Sequence, residues 1–550
     1  MAHIQEQTTS VVDTQGKASC VAHIQERATN HTQETTNSNS VGYPHISSVS
    51  ISENGVLKLL QNIKINKATG PDNIPCRILK EAANEIAPIL TDIFSSSLDS
   101  GTLPSDWKTA RVAPVFKKGN TNEASNYRPI SLTCVCSKLM EHILCHHIRN
   151  HTDKHNILSK FQHGFRAGHS CASQLLITVI DLMKSFNSKK QVDVVVLDFS
   201  KAFDMVPHRR LLWKLEHYGI VGHVLAWVSE FLQGRTQQVV VDGAVSGMSD
   251  VHSGVPQGTV VGPLLFLLYI NDLPDCVKSN VRLFADDCLL YREIVTCEDQ
   301  AALQEDLLAL EKWTLDWGMK FNPGKCTVLT VSRGPQVHSK MYSLCGVVLQ
   351  SVTEAKYLGV CLSSDLHWSN HINTITSKAN STLGLLRRNL SRCPIQLREQ
   401  AYIALIRSRL EYCAAIWDPH LIKDISRLEA VQRRAARFVK QDHDPYSSVT
   451  TMLQELHWLT LQERRQDLRL AFLFQIVHGK VAVEAEDYLT KADPRTRSHH
   501  NHKYKHYTTN CAQYKNSFFV RTVPQWNNLT EACISAETLP AFKASLRPSP

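Results

Sequence analysis

The chain has 550 residues, which is enough for several domains, and its net charge of +9 permits a polyanionic partner without requiring one. Hydrophobic residues make up 43% and charged residues 20% of the sequence, a balance that excludes collagen, coiled coil and wholesale disorder. No signal-peptide pattern and no bilayer-length apolar run is present, so we expect a soluble intracellular protein of the nucleus or cytoplasm, neither secreted nor membrane-bound.

The N-terminal part divides into two segments of different composition. Residues 1–50 are rich in Thr, Ser, Gln, Asn and His, which predicts a disordered segment. From residue 51 apolar side chains recur at helical spacing, and a second helix is predicted from about residue 78 to 98. We therefore expect residues 51–97 to form a helical N-terminal extension.

The rest of the chain changes character once. Helical and strand-like segments alternate from residue 98 to about 362, which predicts a mixed α/β body. Residues 363–445 are basic and read as helical, and residues 446–550 form a further, mainly helical region.

The 16 cysteines are scattered along the chain as single residues. The closest pair, Cys134 and Cys136, is separated by one residue, whereas zinc knuckles have two to four residues between their ligands. Free thiols in a reducing compartment are therefore predicted.

Carboxylates follow strand-like runs at two points. Val194–Leu197 is β-branched and apolar and ends at Asp198, while short apolar runs flank Asp286 and Asp287. This pattern predicts a hairpin that carries the acidic pair. Adjacent carboxylates repel one another unless a cation compensates, and Mg²⁺ is the hard divalent ion that prefers such oxygens. Taken alone, the pair also fits an ordinary solvated turn.

The surrounding motifs give the acidic residues a context. LDFSKAFD at 197–204, SGVPQG at 253–258 and FADD at 284–287 occur in this order, and together they resemble motifs A, B and C of reverse transcriptases from non-LTR (LINE-type, jockey-like) retrotransposons. Further segments that resemble the same family are PVFKKG at 114–119, NYRPISL at 126–132, QHGFR at 162–166, GMKFNPGK at 318–325 and YLGV at 357–360.

The resemblance implies a right-hand polymerase with an α+β palm. Residues 98–362 would then form the fingers and palm, residues 363–445 a basic helical thumb, and residues 446–550 a C-terminal region. The implied activity is RNA-directed DNA polymerisation, a nucleotidyl transfer with an RNA template, a DNA primer and deoxynucleoside triphosphates as partners.

The resemblance also implies the metal ligands. Asp198 and Asp286 would hold two Mg²⁺ ions, for which Mn²⁺ could substitute. Asp287 would complete the acidic cluster, and the backbone carbonyl of Phe199 would be a further ligand. The metal ions would activate the primer 3′-hydroxyl and neutralise the triphosphate.

Substrate contacts follow from the same resemblance. Lys117 and Arg128 match residues that contact the triphosphate, although Lys118 leaves the register open. Phe203 matches a steric gate against ribose, with a core aromatic as the alternative. Gln257 and Gly258 match a turn that packs against the nascent base pair, with a plain β-turn as the alternative.

Three further predictions concern charged side chains. Lys325 is a candidate general acid for the pyrophosphate, with a solvated loop lysine as the alternative. Asp204 and Asp272 are assigned to capping or turns, not to metal binding. On the segment from about residue 428, apolar residues recur at helical spacing, and Arg433, Arg437 and Lys440 form a cationic stripe on another face. We predict that this stripe binds nucleic acid, with a solvated charged face as the alternative.

Residues 1–50 cannot house the endonuclease that such elements usually encode, so we expect that activity, where needed, to come from another protein. One alternative function is a catalytically inactive, retrotransposon-derived RNA-binding protein. A second is an RNA-templated RNA polymerase or an intron-maturase relative, against which Phe203 and the motif wording argue.

Overall fold

The computed structural model describes residues 42–334, 338–492 and 502–547. Most of the segment predicted to be disordered, residues 1–41, lies outside the described residues. About half of the chain is helical, and the strands form mixed sheets.

The strands are β1 Thr109–Phe116, β2 Tyr127–Leu132, β3 Gln191–Asp198, β4 Arg235–Val241, β5 Ala244–Val245, β6 Ser249–Val251, β7 Asn280–Phe284, β8 Asp287–Ile294, β9 Thr327–Val331, β10 Ser343–Leu344, β11 Val347–Val348, β12 Gln350–Val352, β13 Glu354–Tyr357 and β14 Val360–Ser363.

The helices are α1 Glu53–Gln61, α2 Cys76–Glu81, α3 Ala83–Ser100, α4 Ser105–Lys108, α5 Val135–Lys154, α6 Cys171–Asn187, α7 Ala202–Met205, α8 His208–His217, α9 Gly222–Leu232, α10 Gly262–Tyr269, α11 Cys297–Trp317, α12 Ser369–Asn389, α13 Ile395–Tyr402, α14 Ser408–Glu411, α15 Ala414–Trp417, α16 Ile422–Lys440, α17 Val449–Glu455, α18 Leu461–Val477, α19 Ala485–Tyr488, α20 Ala512–Lys515, α21 Phe518–Asn527, α22 Glu531–Ile534 and α23 Leu539–Ser545.

The chain divides into two compact units, each assembled from separate segments. Unit 1 comprises Met1–Phe165, Asp198–Cys288 and Glu305–Asn322, and unit 2 comprises Arg166–Leu197, Leu289–Gln304 and Pro323–Pro550. Asp198, the last residue of β3, and Asp286 and Asp287, at the beginning of β8, all fall within the Asp198–Cys288 segment of unit 1.

Unit 1 contains the sheet β2-β1-β4-β5, with β6 also paired to β4. β1 and β2 are antiparallel, and their register sets Val115 opposite Arg128 and Phe116 opposite Tyr127. β1 is half-buried along its first residues and exposed at Val115 and Phe116, so the β1–β2 connection extends into solvent.

The helical part of unit 1 buries its aromatic residues around α3. This helix packs against α1 and α9. The Phe94 and Trp107 rings meet edge to face at 5.8 Å, and the buried Trp227 indole donates a hydrogen bond to Ser97 Oγ at 3.1 Å. Satisfying the indole N–H lets this large ring lie fully inside the core.

Residues 42–50 make defined contacts before residue 51, where the sequence places the beginning of order. The Ile46 N–H donates to the Gly219 carbonyl at 2.8 Å, and the Val221 N–H donates to the Ile46 carbonyl at 3.0 Å. A β-carbon on Gly219 would lie 2.2 Å from the Pro44 carbonyl oxygen, so only glycine permits this approach.

Asp272 occupies the N-cap position of the 3-10 turn Leu273–Cys276, as the sequence predicts, but its side chain makes no cap hydrogen bond and forms a buried ion pair instead. Lys214, 1% exposed, places its ammonium 2.5 Å from Asp272 Oδ1 and 3.6 Å from the Trp317 ring centroid. Trp313 Nε1 donates to the same carboxylate at 3.2 Å. A buried charge requires a partner, so this ion pair is part of the unit 1 core.

Unit 2 is built on β3, which lies between β9 and β8 in its sheet. β9 pairs antiparallel with β3 and parallel with β12. Val192 and Val194 of β3 are buried against α6 and against the helices that follow β14, in one continuous apolar cluster. The apolar β-branched run therefore forms a buried strand, as the sequence predicts.

Beyond Ser369 the described regular elements are helices, with one isolated bridge between Lys491 and Tyr504. The mainly helical character predicted for this part of the chain is confirmed. Within unit 2, the buried carboxylate of Asp418 forms ion pairs with three arginines, Arg465 at 2.7 Å, Arg469 at 3.0 Å and Arg521 at 3.1 Å. Burial lowers the pKa of Arg469 to about 10.

All 15 cysteines among the described residues are free thiols, which confirms the expectation for them. None of the helices in the described part of the chain is both long and apolar enough to span a membrane.

Candidate active site

Asp198 is held at the end of β3 by the segment around Phe321. The Asn322 N–H donates to the Asp198 carbonyl at 2.8 Å, and the Ser200 N–H donates to the Lys320 carbonyl at 2.8 Å. The Phe199 and Phe321 rings stack at 4.5 Å. Because Phe199 is buried while the Asp198 side chain is partly exposed, the backbone here aims the carboxylate out of the core.

The second acidic element is the turn between β7 and β8, and the predicted hairpin is confirmed. Ala285 lies in the turn with φ +53°, the left-handed region that residues with a β-carbon rarely adopt. Asp286 follows it, and Asp287 is the first residue of β8. The left-handed residue thus reverses the chain directly before the two carboxylates.

The Asp198 carboxylate acts electrostatically on Asp286 and on Asp287. Burial and the Asp198 carboxylate raise the pKa of Asp286. The Asp287 side chain is exposed as a whole, but its carboxyl group lies among protein atoms. This partial desolvation, together with the negative charges of Asp286 and Asp198, raises the pKa of Asp287 to about 6. The structure therefore brings together residues that are 88 positions apart in the chain. It also concentrates negative charge at this point.

Two cations oppose this charge. Lys117 follows β1 directly and Arg128 lies on β2; both side chains are exposed, and both lower the pKa values of Asp286 and Asp287. Of the two adjacent lysines, Lys117 therefore lies where its charge acts on the acidic pair.

Across residues 42–334, 338–492 and 502–547, no three His, Cys, Asp or Glu side chains are arranged as they stand to hold a metal ion. The chemistry of the donor set nevertheless fits a hard divalent cation, because carboxylate oxygens are the ligands such ions prefer. A bound cation would relieve the repulsion that raises the two pKa values.

The predicted steric gate, Phe203, is half-buried in unit 1. Its ring stacks on Phe266 at 4.2 Å and meets Phe165 edge to face at 6.3 Å. The Val255 N–H donates to the Phe203 carbonyl at 2.7 Å. The ring is therefore fixed by neighbours on one side, and the SGVPQG motif is attached to its backbone.

Gln257 is held by two contacts inside unit 1. Its Nε2 donates to Asp204 Oδ1 at 3.0 Å, and its carbonyl accepts the Ser131 N–H at 2.7 Å. A β-carbon on Gly258, which has φ +105°, would lie 2.6 Å from the Ser131 carbonyl oxygen. The close approach that this glycine permits is therefore to protein backbone, and Asp204 positions Gln257.

The other predicted site residues lie in unit 2. Lys325 is exposed and closes the short 3-10 turn Pro323–Lys325. On α16, Arg433 is exposed, whereas Arg437 donates to the Asp444 carbonyl at 2.6 Å and Lys440 pairs with Glu455 at 2.7 Å. The predicted apolar face of α16 is confirmed, since Leu428, Val431, Ala435 and Phe438 are buried.

Sequence reasoning assigned no role to Gln162, although it identified the QHGFR motif. Gln162 is buried and contacts the backbone of Ala285, 123 positions away. Its only signal in the sequence is the motif itself, because a glutamine between apolar segments does not reveal which turn it will reach.

Residues 115–362 match the family model described as reverse transcriptase (RNA-dependent DNA polymerase). The chain is similar to two Drosophila melanogaster proteins, the probable RNA-directed DNA polymerases from transposon BS (28% identical over 430 residues) and from transposon X-element (30% identical over 390 residues). It is also similar to the RNA-directed DNA polymerase from mobile element jockey, with 27% identity over 481 residues.

These three matches cover 74%, 68% and 83% of the chain, and 46%, 42% and 52% of the respective relatives. The chain thus spans about half the length of the curated relatives it matches.

Proposed function

Because residues 115–362 form a reverse transcriptase domain similar to those of non-LTR retrotransposons, we propose that the protein is an RNA-directed DNA polymerase. It would extend a DNA primer on an RNA template by nucleotidyl transfer from deoxynucleoside triphosphates. The observation that carries this proposal is the position of Asp198 at the end of β3, the strand next to β8, which begins at Asp287. Asp198 raises the pKa values of Asp286 and Asp287, and Lys117 and Arg128 lower them.

The acidic residues would hold two Mg²⁺ ions, with Mn²⁺ as a substitute, and the Phe199 carbonyl would be a further ligand. Bound divalent ions supply a lowered pKa at the primer 3′-hydroxyl and neutralise charge on the triphosphate. Asp198 and Asp286 would contact both ions, and Asp287 would add to the negative field that retains them.

The cationic and aromatic neighbours would select and orient the nucleotide. Lys117 and Arg128 would bind triphosphate oxygens through charge-assisted hydrogen bonds, for which a guanidinium is suited because it can bind two oxygens at once. Phe203 would exclude the ribose 2′-hydroxyl, and the turn at Gln257 and Gly258 would pack against the nascent base pair. Lys325 would donate a proton to the leaving pyrophosphate.

We assign residues 98–362 to fingers and palm, residues 363–445 to a thumb, residues 51–97 to an N-terminal extension and residues 446–550 to a C-terminal region. The mixed sheets before residue 363 and the helices after Ser369 support this division.

Nucleic-acid binding in unit 2 is better supported for the groove between α12 and α16 than for the end of α16. Arg434 donates to Asn380 Oδ1 at 3.0 Å, and Arg427 donates to Asn373 Oδ1. Arg427 and Arg434 are seven residues apart in the chain, as are Asn373 and Asn380. This spacing places the two Arg–Asn contacts about 10.5 Å apart along the helices. Polar residues line this groove, which suits a phosphate backbone read without sequence preference.

The direct test is primer extension on poly(A)/oligo(dT) with Mg²⁺. Wild type should incorporate dTTP, and Asp286→Asn should lose more than about a hundredfold in rate, because the metal ions would lose a ligand. A well-folded wild type that incorporates no dTTP would contradict the proposal and favour a non-catalytic RNA-binding protein.

A further inference from the structure

The segment that follows Leu158 runs beside β7 like a short extra strand. The Leu283 N–H donates to the Phe161 carbonyl at 2.9 Å, and the His163 N–H donates to the Leu283 carbonyl at 2.9 Å. Gln162 forms an isolated parallel bridge with Leu283. These contacts bring the Gln162 side chain to the turn that carries the two aspartates.

The buried side-chain amide of Gln162 forms hydrogen bonds with both the N–H and the carbonyl of Ala285, the left-handed residue. Gln162 Oε1 accepts the Ala285 N–H at 2.8 Å and the Gly164 N–H at 2.7 Å, and Gln162 Nε2 donates to the Ala285 carbonyl at 3.3 Å. Gln162 is 1% exposed, so water cannot readily replace these hydrogen bonds.

The turn needs external support for two reasons. Ala285 adopts a conformation that L-residues rarely populate, and such conformations persist where surrounding contacts enforce them. Asp286 and Asp287 follow directly, and they repel each other and Asp198. Without the Gln162 amide, both the backbone conformation and the like charges would favour a different arrangement of the turn.

Gly164 completes the support. A β-carbon at this position would lie 2.3 Å from the Ala285 backbone nitrogen, closer than any real β-carbon contact. Glycine therefore lets the chain approach the turn closely enough for the amide to reach it.

We propose that Gln162 is a positioning residue that holds the Ala285–Asp287 turn in the conformation required for divalent-metal binding, with Gly164 providing the close approach. This inference rests on the proposed polymerase function. Gln162 itself touches neither substrate nor metal ion; it acts through the backbone of Ala285.

The test compares Gln162→Met, which keeps side-chain length but removes the hydrogen bonds, with Gln300→Met. Gln300 is also buried, at 5% exposed, and donates one hydrogen bond to the His338 carbonyl within unit 2. Binding of Mn²⁺ is followed by electron paramagnetic resonance with a dideoxy-terminated primer on poly(A) and dTTP. Mn²⁺ binding that Asp286→Asn abolishes defines the site.

Gln162→Met should weaken Mn²⁺ binding at this site about tenfold and lower kcat for dTTP incorporation by a similar factor, with KM for dTTP little changed. Gln300→Met should leave both unchanged, even if it lowers the Tm by a comparable amount. Wild-type Mn²⁺ affinity in a folded Gln162→Met protein would overturn the proposal.

Gly164→Ala provides a second route if Gln162→Met does not fold. It adds one methyl group and should weaken Mn²⁺ binding at the same site by about tenfold. Unchanged affinity in Gly164→Ala would likewise overturn the positioning role. The metal-binding readout decides this inference even if wild type fails to incorporate dTTP, an outcome that would count against the polymerase function alone.

Discussion

At the residue scale, the site combines groups that the sequence reveals with groups that it conceals. Asp198, Asp286 and Asp287 are predictable because apolar strand-like runs deliver them to strand ends. The amide of Gln162 is not predictable, because its partner lies 123 positions away and the contact depends on two chain segments that run side by side. The same holds for the contact of Asp204 with Gln257.

Phe203 offers a residue-scale prediction about sugar selection. If its ring excludes the ribose 2′-hydroxyl, then Phe203→Val should raise incorporation of UTP relative to dTTP by about tenfold or more, because removing the ring opens space for that hydroxyl. Competing incorporation of UTP and dTTP in primer extension measures the ratio.

Phe266→Leu is the matched control, because it removes the ring on which Phe203 stacks but leaves Phe203 in place. Both variants should lose stability through lost packing. An unchanged UTP to dTTP ratio in Phe203→Val would show that the ring is only a core aromatic.

At the element scale, periodicity predicts which face of a helix is buried but not how its charges are used. The apolar stripe of α16 is buried as expected. Of the arginines that accumulate before it, Arg398 is 6% exposed and donates to the carbonyls of Val439 and Cys393 at 3.0 and 2.8 Å. Cationic side chains thus divide into buried ones that bind backbone carbonyls, such as Arg398, and exposed ones, such as Arg433, and only the structure separates the two classes.

The groove between α12 and α16 leads to a comparison of two double variants. Arg427→Gln/Arg434→Gln should lower the affinity for an RNA–DNA hybrid and reduce the dependence of log K on log salt by between one and two, because up to two phosphate contacts are lost. Arg437→Gln/Lys440→Gln should change the salt dependence little, since these side chains bind Asp444 and Glu455. Fluorescence anisotropy over a salt series gives both slopes, and the reverse order would contradict the assignment.

The packing of α12 against α15 predicts a pH effect on stability. His371 lies buried against Trp417 at 5.0 Å, and burial lowers its pKa from 6.5 to about 4. The unfolded chain therefore binds a proton more readily than the folded protein between these values, and stability falls as the pH is lowered from 6.5 towards 4. The loss amounts to at most about 3 kcal/mol.

Urea denaturation at pH 7 and pH 4.5 measures this loss. His371→Leu should show a smaller decrease in the urea midpoint than wild type, because the titrating group is gone. The exposed His223→Leu should behave like wild type. Equal decreases in wild type and His371→Leu would contradict the explanation.

At the scale of the whole molecule, the change from mixed α/β to helical structure near residue 363 is predictable from the sequence, because alternation of strand and helix patterns ends there. The two compact units are not predictable, since each is assembled from segments that are distant in the chain. Their cores depend on buried ion pairs such as Lys214–Asp272 and Arg465–Asp418, which pattern-based reasoning treats as surface charge.

The central claim is that Asp198 and the turn bearing Asp286 and Asp287 bind the same divalent ions. Fe²⁺ bound in place of Mg²⁺, in the presence of ascorbate and peroxide, cleaves the backbone near the metal, and mass spectrometry locates the cuts. We expect cuts near both Asp198 and Asp286, which excess Mg²⁺ suppresses and which Asp286→Asn abolishes at both positions. Cuts near one of the two segments only, or cuts that persist in Asp286→Asn, would contradict it.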